Sequence, residues 1–180
     1  MSKQRENIDG DLKEWIGRQH VFFVATAPLS TEQHINISPK GGDAFRVLGP
    51  MEVVYQDYTG SGAETAAHLR ENGRIVVMFC EFVGNPRICR LHGRGTVVSR
   101  GDARFADFEK IFPANPGTRA FVHVQLDRVS TSCGFSVPFF EFRGPRTMLD
   151  EWAIEKGPNG LKEYWDRKNR QSIDGLPAFP

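Results

Sequence analysis

Four short stretches carry residue types and spacings suited to chemistry. In Ser38-Pro39-Lys40-Gly41-Gly42 the pattern predicts a turn between two strands, which sets one ammonium and several backbone N–H groups at a sheet rim. Lysine suits a phosphate or an anionic ring edge as a point charge, and the glycines let a ligand approach the backbone closely. In Asp57-Tyr58-Thr59-Gly60-Ser61-Gly62-Ala63-Glu64-Thr65 a strand leads through Gly-Ser-Gly into a helix start. Unpaired N–H groups there attract anions, with a dipole contribution of about 0.3–1 kcal/mol. In Arg87-Ile88-Cys89-Arg90-Leu91-His92-Gly93-Arg94-Gly95 a period of two puts Ile88, Arg90, His92 and Arg94 on one strand face, a cationic stripe. In Thr131-Ser132-Cys133-Gly134-Phe135 a lone cysteine sits in a loop of small residues, placed to contact a ring or to act as a nucleophile.

Each stretch also has an ordinary structural reading. A hairpin lysine can point into water, and a charged strand face can simply be solvated. Ser61-x-x-Glu64 is a capping box that would use the helix-start donors internally, and Glu64 would repel a phosphate bound nearby. No acid–base pair is legible, so no catalytic residue is assigned. CxxC and HExxH are absent and the five histidines lack ligand spacing, so no metal site is expected.

The elements that must position these residues follow from periodicity. Asp9-Gly10-Asp11 opens a helix carrying Leu12, Trp15 and Ile16. Strands are expected over 21–27, 34–38, 45–48, 51–57, 74–80, 87–99 and 120–128, with a last short one at Phe139 to Arg143. Helices are expected at 63–72, stopped by Gly73, and at 102–112, with Phe105, Phe108 and Phe112 facing inward. After Gly144, Thr147 and Asp150 mark a capping-box-like helix start, and Pro158 fits the first turn of a second helix. The tail from Ser172 to Pro177 has no periodicity. Most strands join through tight turns, so a parallel βαβ sheet is disfavoured and a closed antiparallel barrel of six to eight strands with peripheral helices is expected. Residues 1–144 form the barrel domain in this reading and 145–180 the C-terminal helices and tail.

The chain has 180 residues and a net charge of +1, which gives no support for nucleic-acid or anionic-membrane partners. No apolar run approaches the ~20 residues of a membrane span. The polar start does not read as a secretory signal, and three cysteines do not make a disulfide framework. A reduced, cytoplasmic setting is expected. Fourteen phenylalanines fit a strand-rich core.

Taken in order, the segments resemble a known family. They are the buried strand Val21 to Ala27, then Ile35 to Gly41, Tyr55 to Gly62, Glu64 to Asn72, Val76 to Phe79 and Arg87 to Gly95. This order is similar to that of the pyridoxamine 5′-phosphate oxidase-like proteins with the FMN-binding split-barrel fold. A subgroup of them shares the Thr131 to Phe135 loop and the Ser172 to Pro177 ending. The resemblance implies a homodimer with FMN at the subunit interface and hydride transfer through the flavin to or from a small-molecule substrate. It implies isoalloxazine contacts at Ser38, Pro39 and Lys40, and phosphate contacts at Thr59, Ser61, Arg87 or Arg90. Asp57, Gly60, Thr65 and Cys133 complete the expected cofactor-binding set. The chain departs from true pyridoxamine-phosphate oxidases at three places. Asn36 stands where their phosphate-gripping strand has Arg, Gly62-Ala63-Glu64 replaces their Ser-Arg-Lys, and their C-terminal Arg-x-His is absent. The namesake reaction is therefore not expected. Another flavin or a deazaflavin is the alternative cofactor. A non-catalytic flavin or haem binder, with His92 or His68 as haem ligand, is the alternative function, and a cofactor-free interaction protein is a third.

Overall fold

A computed structural model describes residues 3–180. Its elements are β1 (Lys3–Arg5), α1 (Gly10–Gly17), β2 (Val21–Thr26), β3 (Asn36–Gly41), β4 (Phe45–Gly49), β5 (Glu52–Tyr58), α2 (Glu64–Asn72), β6 (Arg74–Cys80), β7 (Ile88–Ser99), α3 (Phe105–Glu109), β8 (Thr118–Ser132) and α4 (Met148–Lys168). The strands form one antiparallel sheet in the order β3-β2-β6-β7-β8-β5-β4, with β1 added beside the far end of β8. β8 is the longest strand. It pairs with β7 along one side, and with β5 and then β1 along the other.

The sheet curls until its two ends meet through side chains rather than backbone ladders. Phe22 of β2 packs on Phe45 of β4 at 5.2 Å between ring centroids. Lys40 of β3 pairs with Asp57 of β5. The result is the expected antiparallel split barrel with helical decoration, its seam lying between β3 and the β4–β5 hairpin. Val24, Val53, Tyr55, Val77, Phe79, Leu91, Val122 and Val124 fill the interior, and α1 adds Leu12, Trp15 and Ile16 to the same core. β8 is buried on both faces, because Phe105, Phe108 and Phe112 cover Phe121, Val54 and Val98 from outside. That double burial explains why Ala120-Phe121-Val122 reads as an unbroken apolar run.

Several expectations need correction. Ser38-Pro39-Lys40 is not a turn. β3 runs straight through it, with Pro39 opposite Phe23, and the chain reverses only at Gly42. A proline is tolerated there because β3 is an edge strand, whose outer N–H groups have no ladder to serve. Phe139 to Arg143 forms no strand. It is held instead by one backbone bond, Phe140 N–H to the Phe82 carbonyl at 3.1 Å, with Phe140 edge-on against Phe82 and Phe142 stacked on His20 at 3.6 Å between ring centroids. The caps fared unevenly. Asp9 accepts from Leu12 N–H at 2.9 Å and Gly73 closes α2 in the left-handed conformation, but neither Ser61 nor Thr147 makes a side-chain cap. The two C-terminal helices are present within α4, separated by a break at Gly157 (φ 63°) just before Pro158.

Candidate functional site

β3 alternates its side chains across the seam. Asn36, Ser38 and Lys40 face inward, while Ile37 and Pro39 face outward and are exposed. Opposite them, β5 ends at Tyr58, and the chain turns through Thr59 to Ala63 into α2. Between the two lies a cleft of about 230 Å³, lined by Ser38 and Lys40 on one side, by Gly60, Ser61, Gly62, Glu64 and Thr65 on the other, and by Tyr58 and Arg119.

The floor of this cleft is a charge cluster. Asp57 is buried and receives Lys40 Nζ at 2.8 Å and Arg119 Nε at 2.7 Å. Burial opposes its ionisation, but Arg119 and Lys40 more than offset that and hold the carboxyl down at about 2. Asp57 is thus a fixed counter-ion at neutral pH and no proton donor. Arg119 also donates to the carbonyls of Gly60 (3.4 Å) and Gly62 (2.9 Å), so it organises the turn from beneath. Lys40 lies 5.8 Å from the Tyr55 ring centroid. Its ammonium carries three donors, of which Asp57 takes one. Tyr58 at the cleft wall is pushed up to about 12 by burial and by Asp150 and Asp43, which keeps its phenol neutral.

The polar side chains on the β3 side are linked. Ser38 Oγ donates to Asn36 Oδ1 (3.2 Å), and Asn36 Nδ2 donates to Thr65 Oγ1 (3.0 Å). Thr26 Oγ1, bonded to the ring nitrogen Nδ1 of His68 at 2.9 Å, stands behind Asn36. His68 is fully buried and its pKa is lowered by burial. That enclosure removes it from any ligand set approached from solvent, haem included.

The C-terminal tail folds back on its own chain beside this cleft. Trp165 Nε1 donates to Thr59 Oγ1 (2.8 Å), Asn169 Nδ2 to the Gly60 carbonyl (2.9 Å), and Ile173 N–H to Glu64 Oε1 (3.2 Å). Ala178 packs on Ala63, Ala66 and Ala67, and Phe179 covers the Arg119 guanidinium at 4.9 Å.

Of the expected cofactor set, Ser38, Lys40, Gly60, Ser61 and Thr65 therefore converge, with Asp57 beneath them. Thr59 is buried, its hydroxyl spent on the Gly117 carbonyl at 2.7 Å and on Trp165. Pro39 faces outward. Arg87 lies elsewhere, at 5.4 Å over the Trp15 ring, in a larger cleft of about 950 Å³ walled by His20, Glu81, Phe140 and Phe142. Arg90 sits on the outer face of β7 and donates to Ser132 Oγ at 3.1 Å, and Cys133 is exposed just past β8. Arg119 was missed. It stands just ahead of the apolar run Ala120-Phe121-Val122, so the pattern does not mark it as buried, although a buried arginine needs a partner. The smaller cleft is the stronger candidate because five expected residues from two separate segments meet there, whereas the larger one gathers a single expected residue among aromatic walls.

The sequence matches the pyridoxamine 5′-phosphate oxidase family over residues 8–133, well over half the chain. It is also 40% identical, over 193 aligned positions, to the pyridoxamine 5′-phosphate oxidase family protein ustO of Aspergillus flavus, covering 97% of this chain and 76% of that protein. The chain belongs to this family. Among solved structures, HupZ of Group A Streptococcus superposes with a TM-score of 0.54 at 20% identity, over 68% of this chain and 91% of that one. A candidate pyridoxamine 5′-phosphate oxidase from Lactobacillus delbrueckii gives 0.54 at 13% identity, over 71% and 98%. At these identities the structures establish the shared barrel. The family match ends at Cys133, so the aromatic segment, α4 and the tail that braces the cleft all lie beyond it.

Proposed function

We propose that this family member binds a flavin along the inner face of β3 and works as a flavin-dependent oxidoreductase on a small molecule. The observation that carries this is the meeting of Ser38, Lys40, Gly60, Ser61 and Thr65 around one cleft at the barrel seam. Hydroxyls, a side-chain-free glycine turn and a lysine with donors to spare suit the polar ring edge and the ribityl hydroxyls of a flavin. The flavin, when bound, supplies hydride transfer, and the protein supplies orientation and electrostatics. FMN is the form the family resemblance implies.

The cleft's volume of about 230 Å³ falls below the roughly 300–1,000 Å³ of sites that enclose a small molecule. A flavin lying there is left partly uncovered by one chain. This supports a homodimer with the cofactor at the interface, in which Arg87 or Arg90 of one copy completes the cleft of the other. Phe135 and Phe139 are 84% and 78% exposed, which agrees with a further surface awaiting cover. Cys80 and Cys89 are buried thiols and the three cysteines form no disulfide among the described residues, in keeping with a cytoplasmic setting. No helix among the described residues is long and apolar enough to cross a membrane.

A non-catalytic flavin carrier is the second reading. What favours it is the cleft itself, where Asp57 is locked to both cations and no histidine lines the walls. The test is the visible spectrum of freshly purified protein, mass spectrometry of whatever denaturation releases, and light scattering for the oligomer. A flavin spectrum on a dimer is expected, and its bleaching by NADH, NADPH or a reduced deazaflavin separates oxidoreductase from carrier. Colourless protein that takes up neither FMN nor a deazaflavin overturns the flavin reading, and a monomer overturns the interface.

A further inference from the structure

The cleft has two ends, β3 at one and the turn into α2 at the other. We propose that Glu64 decides what the second end accepts: its carboxylate takes the place of a ligand anion, so the cleft admits the uncharged polyol of a flavin and discriminates against a phosphate. This rests on the flavin reading above and sharpens it against the form the family resemblance implies.

Three independent features lead there. First, Glu64 does not reach for a cap, although Ser61-x-x-Glu64 has the spacing for one. Its side chain curls back over the turn, and a Cβ placed on Gly62 would lie 2.3 Å from Glu64 Oε2. Glycine at 62 is the residue that makes room for the carboxylate. Second, the tail fixes that position, since Ile173 N–H donates to Glu64 Oε1 at 3.2 Å. Third, the cations of the cleft are already spent. Lys40 and Arg119 share Asp57, and Arg119 adds the carbonyls of Gly60 and Gly62. Both cations are thus engaged by Asp57, and Glu64 adds a second carboxylate to the same cleft. A phosphate dianion entering here would meet a like charge and no unpaired cation, in a site where desolvation magnifies both penalties. Ribityl hydroxyls are donors and acceptors together, so they can donate to Glu64 and accept from Ser38, Lys40 or Ser61.

The test compares riboflavin with FMN by quenching of flavin fluorescence, in the native protein and in Glu64→Gln. Glutamine keeps an acceptor for Ile173 N–H while removing the charge. Thermal unfolding with and without millimolar inorganic phosphate supplies a probe that needs no flavin. The native protein is expected to bind the two flavins within about threefold of each other and to gain no stability from phosphate. Glu64→Gln is expected to tighten FMN by roughly tenfold, leave riboflavin unchanged, and become stabilised by phosphate. Native protein that prefers FMN by about a hundredfold, or that phosphate stabilises, overturns the proposal, and neither result depends on the variant's folding. If neither flavin binds, the flavin reading alone has failed, and the phosphate comparison still decides the role of Glu64: equal responses of native protein and variant overturn it.

Discussion

Asp57→Asn removes one charge and little else, so it isolates what the ion cluster contributes. The carboxylate holds Lys40 at 2.8 Å and Arg119 at 2.7 Å, with side-chain exposures of 5% for Asp57, 20% for Lys40 and 8% for Arg119. Asparagine keeps the size and one acceptor, but it leaves two enclosed cations without a counter-ion. Breaking a buried pair from one side costs about 3–5 kcal/mol. The lower end applies here, because Lys40 retains some solvent. For a chain of this size, about 3 kcal/mol corresponds to a fall in Tm of roughly 6–12 °C at neutral pH. The pH dependence gives a second, sharper reading. The Asp57 carboxyl titrates at about 2 rather than its ordinary 3.8. Its depressed value therefore contributes about 2 kcal/mol above pH ~4, and that contribution drains away as the pH falls through 2. The variant lacks it at every pH. Melts followed by circular dichroism should show native protein and variant far apart at pH 7 and converging between pH 4 and 2. A variant within about 2 °C of native protein at pH 7, or a gap that stays constant down to pH 2, would refute the seam-closing role of Asp57.

Three further outcomes are expected. Arg87→Ala should leave stability within about 0.5 kcal/mol, since the side chain is exposed, but should weaken flavin binding by about 1.5–3 kcal/mol if a second copy delivers it to the cleft; unchanged affinity in a titration would place Arg87 outside the site. Gly93→Ala should destabilise by at least 2–3 kcal/mol, roughly the cost of overpacking, because the added Cβ would lie 2.2 Å from the Gln125 carbonyl oxygen where β7 crosses the irregularity in β8; an unshifted urea midpoint would contradict that close approach. Removing residues 170–180 takes away Ala178 and the Phe179–Arg119 contact and should cost roughly 2–3 kcal/mol without altering the oligomeric mass; a truncated chain that unfolds at the native urea concentration would show that the tail does not brace the barrel.

Most strands were legible because one or both of their faces are buried. Val21 to Thr26 and Arg74 to Cys80 read correctly from apolar content alone, and β7 read correctly from alternation. β3 was half legible. Proline and glycine are local turn signals, and only the strand order shows that Pro39 lies on an edge where no ladder bond is lost. Phe139 to Arg143 has strand-like composition, but strand propensity mostly reports packing against a partner, and this segment finds no ladder. The charge cluster was half legible too. Lys40 and Asp57 could be named, but their 17-residue separation says nothing of contact until the sheet closes, and Arg119, just ahead of the apolar run, reads as an ordinary charge at a strand end. The tail was opaque because its hold on the cleft consists of single long-range contacts, hydrogen bonds such as Asn169 to Gly60 and Ile173 to Glu64 and the packing of Ala178 and Phe179, which leave no periodicity.

The closure of the barrel and the chemistry of its cleft are one problem in this chain. A barrel whose end strands do not pair needs something else across the seam, and here that is a carboxylate shared by one cation from each side. Arg119 meets that need from the start of β8, and in doing so it fixes the Gly60–Gly62 turn through two carbonyls. Those carbonyls point toward the arginine, which is the opposite of what a phosphate-gripping turn presents. Glu64 then takes the remaining anionic position, with Gly62 trimmed to make room and Ile173 holding it there. The same residues that stabilise the seam therefore leave the cleft without a free cation. On the proposed reading, a family member built this way keeps the barrel while its cations serve its own structure before any ligand phosphate.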